Sequence, residues 1–292
     1  MHRFACDAGA GYPARTMKRP DDRRRAPAAG GRTGGTRPAG GARGEARPDG
    51  RRRMGAPGGA PGASRPPARR IPPERMLERM DWASLRPLLE GSAEEREAAI
   101  ARLRQFGMEL LQWNQGVSNL VSHDDELRLV DRHIAESLAG ISVLKRLACK
   151  RLVDFGTGGG FPALPLAAVG IGTHWTLVES RRNKTLFLRR AVQELGLSSR
   201  VEVVTGRLEM LIEEDPEPFR CDVFTSRATM KAAPTLMLAA RIVESGGHAA
   251  LWKGSGAPEE LAADEGWREF WGEPVTHPIG SGPNSIVVFE RK

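Results

Sequence analysis

The sequence predicts an α/β fold: a mostly parallel sheet with an antiparallel C-terminal hairpin, preceded by a helical segment. Three observations predict it. From residue 151 onward, short apolar runs alternate with stretches of helical period, the pattern of strand–helix–strand units with helices on both faces. A glycine-rich segment, Gly156-Thr-Gly-Gly-Gly160, stands between the first such strand and the first such helix. Upstream, residues 74–147 show helical periodicity alone.

Taken in order, residues 1–75 form an extension apart from this pattern. Residues 1–73 hold 17 of the 44 Lys+Arg but only 5 of the 36 Asp+Glu, with 11 of the 21 prolines and 14 of the 34 glycines. The whole-chain charge of +8 therefore belongs to this stretch, and the rest, with 27 Lys+Arg against 31 Asp+Glu, is slightly acidic. So polar a stretch cannot bury enough apolar surface to offset the entropy of ordering it, and disorder is expected. Its arginine runs suit non-specific contact with RNA phosphates. Met54, Met76 and Met80 offer alternative starts, so the extension is expected to be dispensable.

A helical cap is expected over 76–147. Helices at 74–90 and 92–113 place Ile100, Leu103, Phe106, Leu110 and Trp113 on one face, and Ser92 with Glu95 has the spacing of a capping box. A third, at 124–147, carries the stripe Leu127, Val130, Ile134, Leu138 and Ile141. Between the last two lies a polar loop, Trp113–Leu120.

The sheet domain is expected over 148–292. Its strands are Arg151–Phe155, His174–Glu179, Val201–Val204, Cys221–Thr225 and His248–Trp252, with helices at 162–168, 182–195, 207–213 and 230–244. Phe270–His277 and Ser285–Glu290, joined through Pro278–Pro283, form the closing hairpin. Nothing approaches 18 consecutive apolar residues, so no membrane span is expected. Nor does the N-terminus carry a secretory apolar run. The three cysteines, Cys6, Cys149 and Cys221, lack metal-ligand spacing, and a reduced cytoplasmic protein without a metal is expected.

The glycine loop carries the chemistry. In open parallel sheets, ligands sit at the carboxyl ends of the strands, where this loop lies. Gly156, Gly158 and Gly160 permit sharp turns and close approach of the backbone to a ligand. A dinucleotide fingerprint needs glycine at position 161, where Phe161 stands, which disfavours an oxidoreductase. Asp154 would repel a pyrophosphate, whereas it suits holding the loop or attracting a cationic amino group. Glu179 ends the second strand, placed to accept from both hydroxyls of a ribose. After the third strand, Gly206–Glu209 offers a backbone amide and a carboxylate to an adenine edge.

Five stretches then resemble one family: Trp113-Asn-x4-Asn-Leu120, Arg132-His-Ile-x-x-Ser-Leu138, Asp154-x-Gly-Thr-Gly-x-Gly-Phe-Pro162, Glu179-Ser-x3-Lys-x2-Phe-Leu188 and Ser226-Arg-Ala228. In this order they resemble the 16S ribosomal RNA 7-methylguanosine methyltransferases, the glucose-inhibited division protein B or RNA methyltransferase G family. The glycine loop is common to many methyltransferases; the Trp-Asn loop, the Arg-His segment and Ser-Arg-Ala are the specific part. The resemblance implies a Rossmann-like class I methyltransferase sheet under a helical cap. It implies S-adenosyl-L-methionine as cofactor and methylation of a guanine N7 in 16S rRNA of the small ribosomal subunit. It also implies that Gly156 and Phe161 contact the cofactor, that Leu208 and Glu209 flank its adenine, and that Arg227 lies at the site. Val121 stands where the family usually has Thr, and Glu136 where it commonly has Asp.

Guanine N7 already presents a lone pair, so its methylation needs positioning more than proton removal. Arg227 is the candidate catalytic residue, pairing a phosphate or stacking on a base; a salt bridge to Asp154 or Glu179 is the competing role. Asn114, Asn119, Arg132, His133, Lys184 and Lys253 are candidate RNA contacts. The two asparagines could equally form turns, and His133 could be a packing residue. The chain is expected to act as a monomer. Two other functions compete: methylation of a small molecule or protein, and RNA binding without catalysis.

Overall fold

The computed structural model describes residues 70–147 and 149–292; the expectations for residues 1–69 lie outside them. Seven strands form one sheet in the order β3-β2-β1-β4-β5-β7-β6. The first five are β1 (Arg151–Phe155), β2 (His174–Glu179), β3 (Val201–Thr205), β4 (Cys221–Arg227) and β5 (Val243–Lys253), all parallel. The last two, β6 (Val275–Pro278) and β7 (Ser285–Glu290), pair antiparallel, and β7 also pairs antiparallel with β5. Strand order reverses between β1 and β4, the place where open sheets leave a crevice for ligands.

Strands alternate side chains between faces, and the core follows that period. Leu152, Trp175, Leu177, Val223 and Ala250 pack on one face, while Val153, Val178, Phe224, Ala249 and Leu251 pack on the other. Both faces are apolar because both are covered. The first face lies under α1 (Pro73–Glu78), α2 (Ala93–Gly116), α4 (Ala135–Leu138), α5 (Ile141–Arg146), α6 (Ala163–Ala168) and α7 (Arg182–Glu194), with the short α3 (His123–Glu126) between α2 and α4 along the chain. The second lies under α8 (Leu208–Glu214), α9 (Ala232–Ala239) and the indoles of Trp267 and Trp271.

Several expected elements are cut differently. The helix expected over 74–90 ends at Glu78, because the Asp81 carboxylate accepts from the amides of Ala83 and Ser84 and starts a 3₁₀ turn, Trp82–Leu88. The Ser92–Glu95 capping box forms, and α2 runs to Gly116, absorbing half of the expected loop. The helix expected over 124–147 is broken: Ser122 caps α3, a π-helical turn spans Leu129–Ile134, and Gly140 separates α4 from α5. The helix expected over 230–244 closes at Ala239, and β5 begins five residues before the expected strand. That early start depends on Gly247, where a Cβ would lie 2.7 Å from the Asp222 carbonyl oxygen. The strand expected over 270–277 shortens to β6, with Trp271 making an isolated bridge to Arg291. Helix α10 (Ala257–Ala262) had no counterpart in the sequence reading.

Candidate functional site

The glycine loop leaves β1 at the strand reversal. Gly156, Gly158 and Gly160 all adopt positive φ, at 64°, 58° and 91°. At Gly156 a Cβ would stand 2.3 Å from Thr229 Cγ2, so glycine is required there by space as well as by dihedral. Glu179, buried at the end of β2, ties the loop down: its Oε2 accepts from the Gly158 amide at 3.1 Å and its Oε1 from the Arg181 amide at 2.8 Å. Its role in this structure is to hold the loop; Oε1 accepts from the Ser180 hydroxyl as well, at 3.4 Å, and Oε2 keeps a lone pair for a further donor.

Beneath the loop, Asp154 is fully buried. One carboxylate oxygen accepts from the Thr225 hydroxyl at 2.7 Å; Oδ2 has no partner among the described residues, and neither has the buried Thr157 hydroxyl. Burial pushes the Asp154 carboxyl up to about 7. Leu208, at the start of α8, is buried beside the end of β3, and Glu209 next to it is half-buried.

Arg227, at the end of β4, is drawn toward the cap. Its guanidinium pairs with Glu136 at 2.5 Å, and donates to the carbonyls of His133 at 3.2 Å and Arg132 at 3.4 Å. Neither Asp154 nor Glu179, the partners weighed from sequence, takes this role; Glu136 does. The carbonyls of Arg132 and His133 are presented by the π-helical turn, where the i→i+4 ladder is interrupted. The guanidinium also lies 5.9 Å from the Phe161 ring centroid, and the His133 and Phe161 ring centroids are 5.0 Å apart. Burial, with the neighbouring Arg227 charge, lowers His133 to about 4, so its imidazole is neutral at pH 7.

Glu136 is a junction. Its second oxygen accepts from the Asn284 amide of the β6–β7 hairpin at 2.8 Å, and its carbonyl accepts from the Trp252 indole at 2.8 Å. The cap, β4, β5 and the hairpin thus meet at one residue. They enclose a cleft of about 430 Å³ whose wall includes Arg132, Glu136, Arg227, Lys253, Glu260 and Asn284. Lys253 donates to the Met230 carbonyl and pairs with Glu260, both at 2.8 Å. Ala228, between Arg227 and Thr229, holds a left-handed φ of 53°, unusual for a residue with a Cβ.

The remaining candidates separate. Asn114 is buried in the cap; its carbonyl oxygen accepts from the amides of Leu120 and Val121, and its NH₂ donates to Val121 O and Glu126. The turn-forming role describes it, with no amide edge left for a base. Asn119 is exposed and shares a second cleft, of about 670 Å³, with Arg181, Arg182 and Lys184. Lys184 Nζ lies 3.7 Å from the Cβ position of Gly158, on the rim of the loop. Arg132 pairs with Asp125 at 3.0 Å. Sequence reasoning passed over Glu260 and Asn284, which come from α10 and the hairpin loop. Only their placement opposite Lys253 and Glu136 reveals them.

The family described as rRNA small subunit methyltransferase G matches residues 99–275 of this chain. Among curated relatives, the chain is similar to the ribosomal RNA small subunit methyltransferase G of Polynucleobacter asymbioticus, 32% identical over 184 residues, covering 61% of this chain and 81% of that protein. The protein of the same name from Neisseria gonorrhoeae is 33% identical over 59% of this chain and 76% of its own length. That of Laribacter hongkongensis is 37% identical over 53% and 71%.

Proposed function

The chain belongs to the rRNA small subunit methyltransferase G family, and from that premise we infer that it transfers a methyl group from S-adenosyl-L-methionine to N7 of a guanine in 16S rRNA of the small ribosomal subunit. The observation that carries this reading is the meeting of two spaces across Arg227–Thr229. On one side stands the glycine cradle with Glu179; on the other, the 430 Å³ cleft at the ends of β4 and β5.

The residues present fit the cofactor. Three left-handed glycines form a cradle open to close backbone approach, and Glu179 beside it keeps a free acceptor on Oε2. Gly156, Gly158 and Phe161 would hold the methionine end, Glu179 the ribose hydroxyls, and Leu208 with Glu209 the adenine. When bound, the cofactor supplies an electrophilic methyl. N7 attacks with its own lone pair, so the protein's part is alignment and stabilisation of the positive charge that develops on the base. Arg227 is fixed by Glu136 and two carbonyls, leaving its planar face to stack on the base. The target must be splayed out of its loop to enter the cleft.

Cradle, cap and hairpin come from the same polypeptide, which supports a monomer as the acting unit. Among the described residues no helix is long and apolar enough to cross a membrane. Together with a ribosomal substrate, this supports a cytoplasmic site of action. The test is methyl transfer from labelled cofactor to small subunits lacking the mark, followed by base mapping. Label at a single guanine N7, reduced at least tenfold in Arg227→Ala, is the expected result; cofactor binding with no label on RNA overturns the reading.

A further inference from the structure

Two carboxylates line the cleft at the ends of β4 and β5, and their hydrogen bonds distinguish them. Both oxygens of Glu136 are engaged, Oε2 by Arg227 and Oε1 by Asn284. Glu260 differs. Its Oε2 alone accepts from both the Ala232 amide and Lys253 Nζ, each at 2.8 Å, and Oε1 accepts from no described residue. The side chain is about one-third exposed and forms part of the cleft wall. Lys253 and the first amide of α9 therefore fix the carboxylate and its ionisation, and one oxygen remains for a guest.

The guest's chemistry follows from what a fixed, acceptor-only oxygen selects. Guanine is the one RNA base that carries two adjacent donors, N1–H and N2–H₂, on its Watson–Crick edge. Adenine and cytosine present an acceptor at the ring nitrogen, and uracil a single donor flanked by carbonyls. Resting on the assignment of this cleft to the methylated base, we propose that Glu260 is its specificity-determining residue, with Oε1 accepting from the N1–H and N2–H₂ edge of guanine. N7 lies on the opposite, imidazole side of the base, so an edge held at Glu260 leaves N7 turned away toward the glycine loop. Charge adds a second effect. As N7 acquires the methyl group the ring becomes cationic, N1–H becomes a stronger donor, and a hydrogen bond to a carboxylate strengthens in the transition state.

The test exploits the geometry of Oε2. In Glu260→Gln the amide oxygen must take the Oε2 place to keep the bonds from Ala232 and Lys253, which puts an NH₂ where Oε1 stood. A donor then faces guanine's donors with no change of shape. Small subunits reconstituted with guanosine or with inosine at the acceptor position are methylated by the full-length wild-type and variant enzymes. Inosine keeps N7, O6 and N1–H and lacks only the 2-amino group. The wild type is expected to prefer guanosine about tenfold to a hundredfold, the size of one hydrogen bond to a charged group. In the variant, transfer to guanosine falls by a similar factor, the preference narrows to about twofold, and cofactor affinity measured without RNA stays within about twofold. A preference retained in the variant overturns the proposal, as does a wild type indifferent to inosine. If the wild type labels no subunit at all, it is the rRNA assignment itself that fails.

Discussion

Asp154 is a carboxyl held wholly out of water. Its pKa rises on folding, so its contribution to stability is full below the ordinary carboxylate range and is lost as pH climbs through about 7. Asp154→Asn should remove that slope: the stability of wild type relative to the variant, from urea unfolding, should fall between pH 4 and pH 8. A flat difference would show that the carboxyl ionises in the fold as it does in water. The same ionised form is the one that attracts a cationic amino group, so cofactor affinity in the wild type should rise over this range and the rise should vanish in the variant. Gly156→Ala tests the cradle. The added Cβ meets Thr229 Cγ2 at 2.3 Å on a backbone at φ 64°, and a cost of about 1–3 kcal/mol is expected, with cofactor affinity reduced tenfold or more by calorimetry. The placement of Gly156 and Glu179 at adjoining strand ends was legible in the sequence, because the apolar runs mark the strands and the glycines mark the turn between strand and helix. The partner of Arg227 was not, since Glu136 is 91 positions away and meets it only through the fold.

At the scale of elements, the strands were the legible part. β1, β2 and β7 occupy the residues their apolar runs predicted, because a strand buried on both faces has no other way to place such a run. The cap helices were legible in their stripes and not in their breaks. Asp81, Ser122 and Gly140 divide them by local capping and turning, which hydrophobic period does not register. One of these irregularities bears on the site. The turn after β4 carries Ala228 in the left-handed region, at a cost of about 1–2 kcal/mol. Ala228→Gly should therefore raise the unfolding free energy by up to about 1 kcal/mol while loosening the turn that aims Arg227. The check is a denaturation midpoint set beside methyl transfer: the midpoint should rise and the rate should fall. A variant both less stable and fully active would show that the turn bears no strain and aims nothing.

At the scale of the molecule, the question is whether the cap is a separate body resting on the sheet. A single cluster of buried side chains runs from Met76 and Leu85 through Phe106 and Leu110 to Leu152, Trp175 and Ala250. Phe106 belongs to it, fully buried, with ring centroids 5.5 Å from Phe161 of the glycine loop and 6.5 Å from Phe187 of α7. Polar ties cross the same boundary: Arg102 to the Ala168 carbonyl at 2.8 Å, Arg190 to Glu109 at 2.7 Å and Trp252 to the Glu136 carbonyl at 2.8 Å. Removing either layer would expose the apolar face of the other, so cap and sheet should unfold together. Urea unfolding followed by tryptophan fluorescence and by far-ultraviolet dichroism should give coincident single transitions. Phe106→Ala should lower the common midpoint by the cost of a large buried ring, about 3–5 kcal/mol. Because Phe106 supports Phe161, the variant should also bind the cofactor more weakly at temperatures where it is still folded. Two separated transitions would instead make the cap an independent domain, and the mutation would then shift only one of them. The distinction matters for mechanism: the cap supplies Glu136 and the carbonyls that hold Arg227, so only a cap folded with the sheet keeps that arginine fixed before RNA arrives.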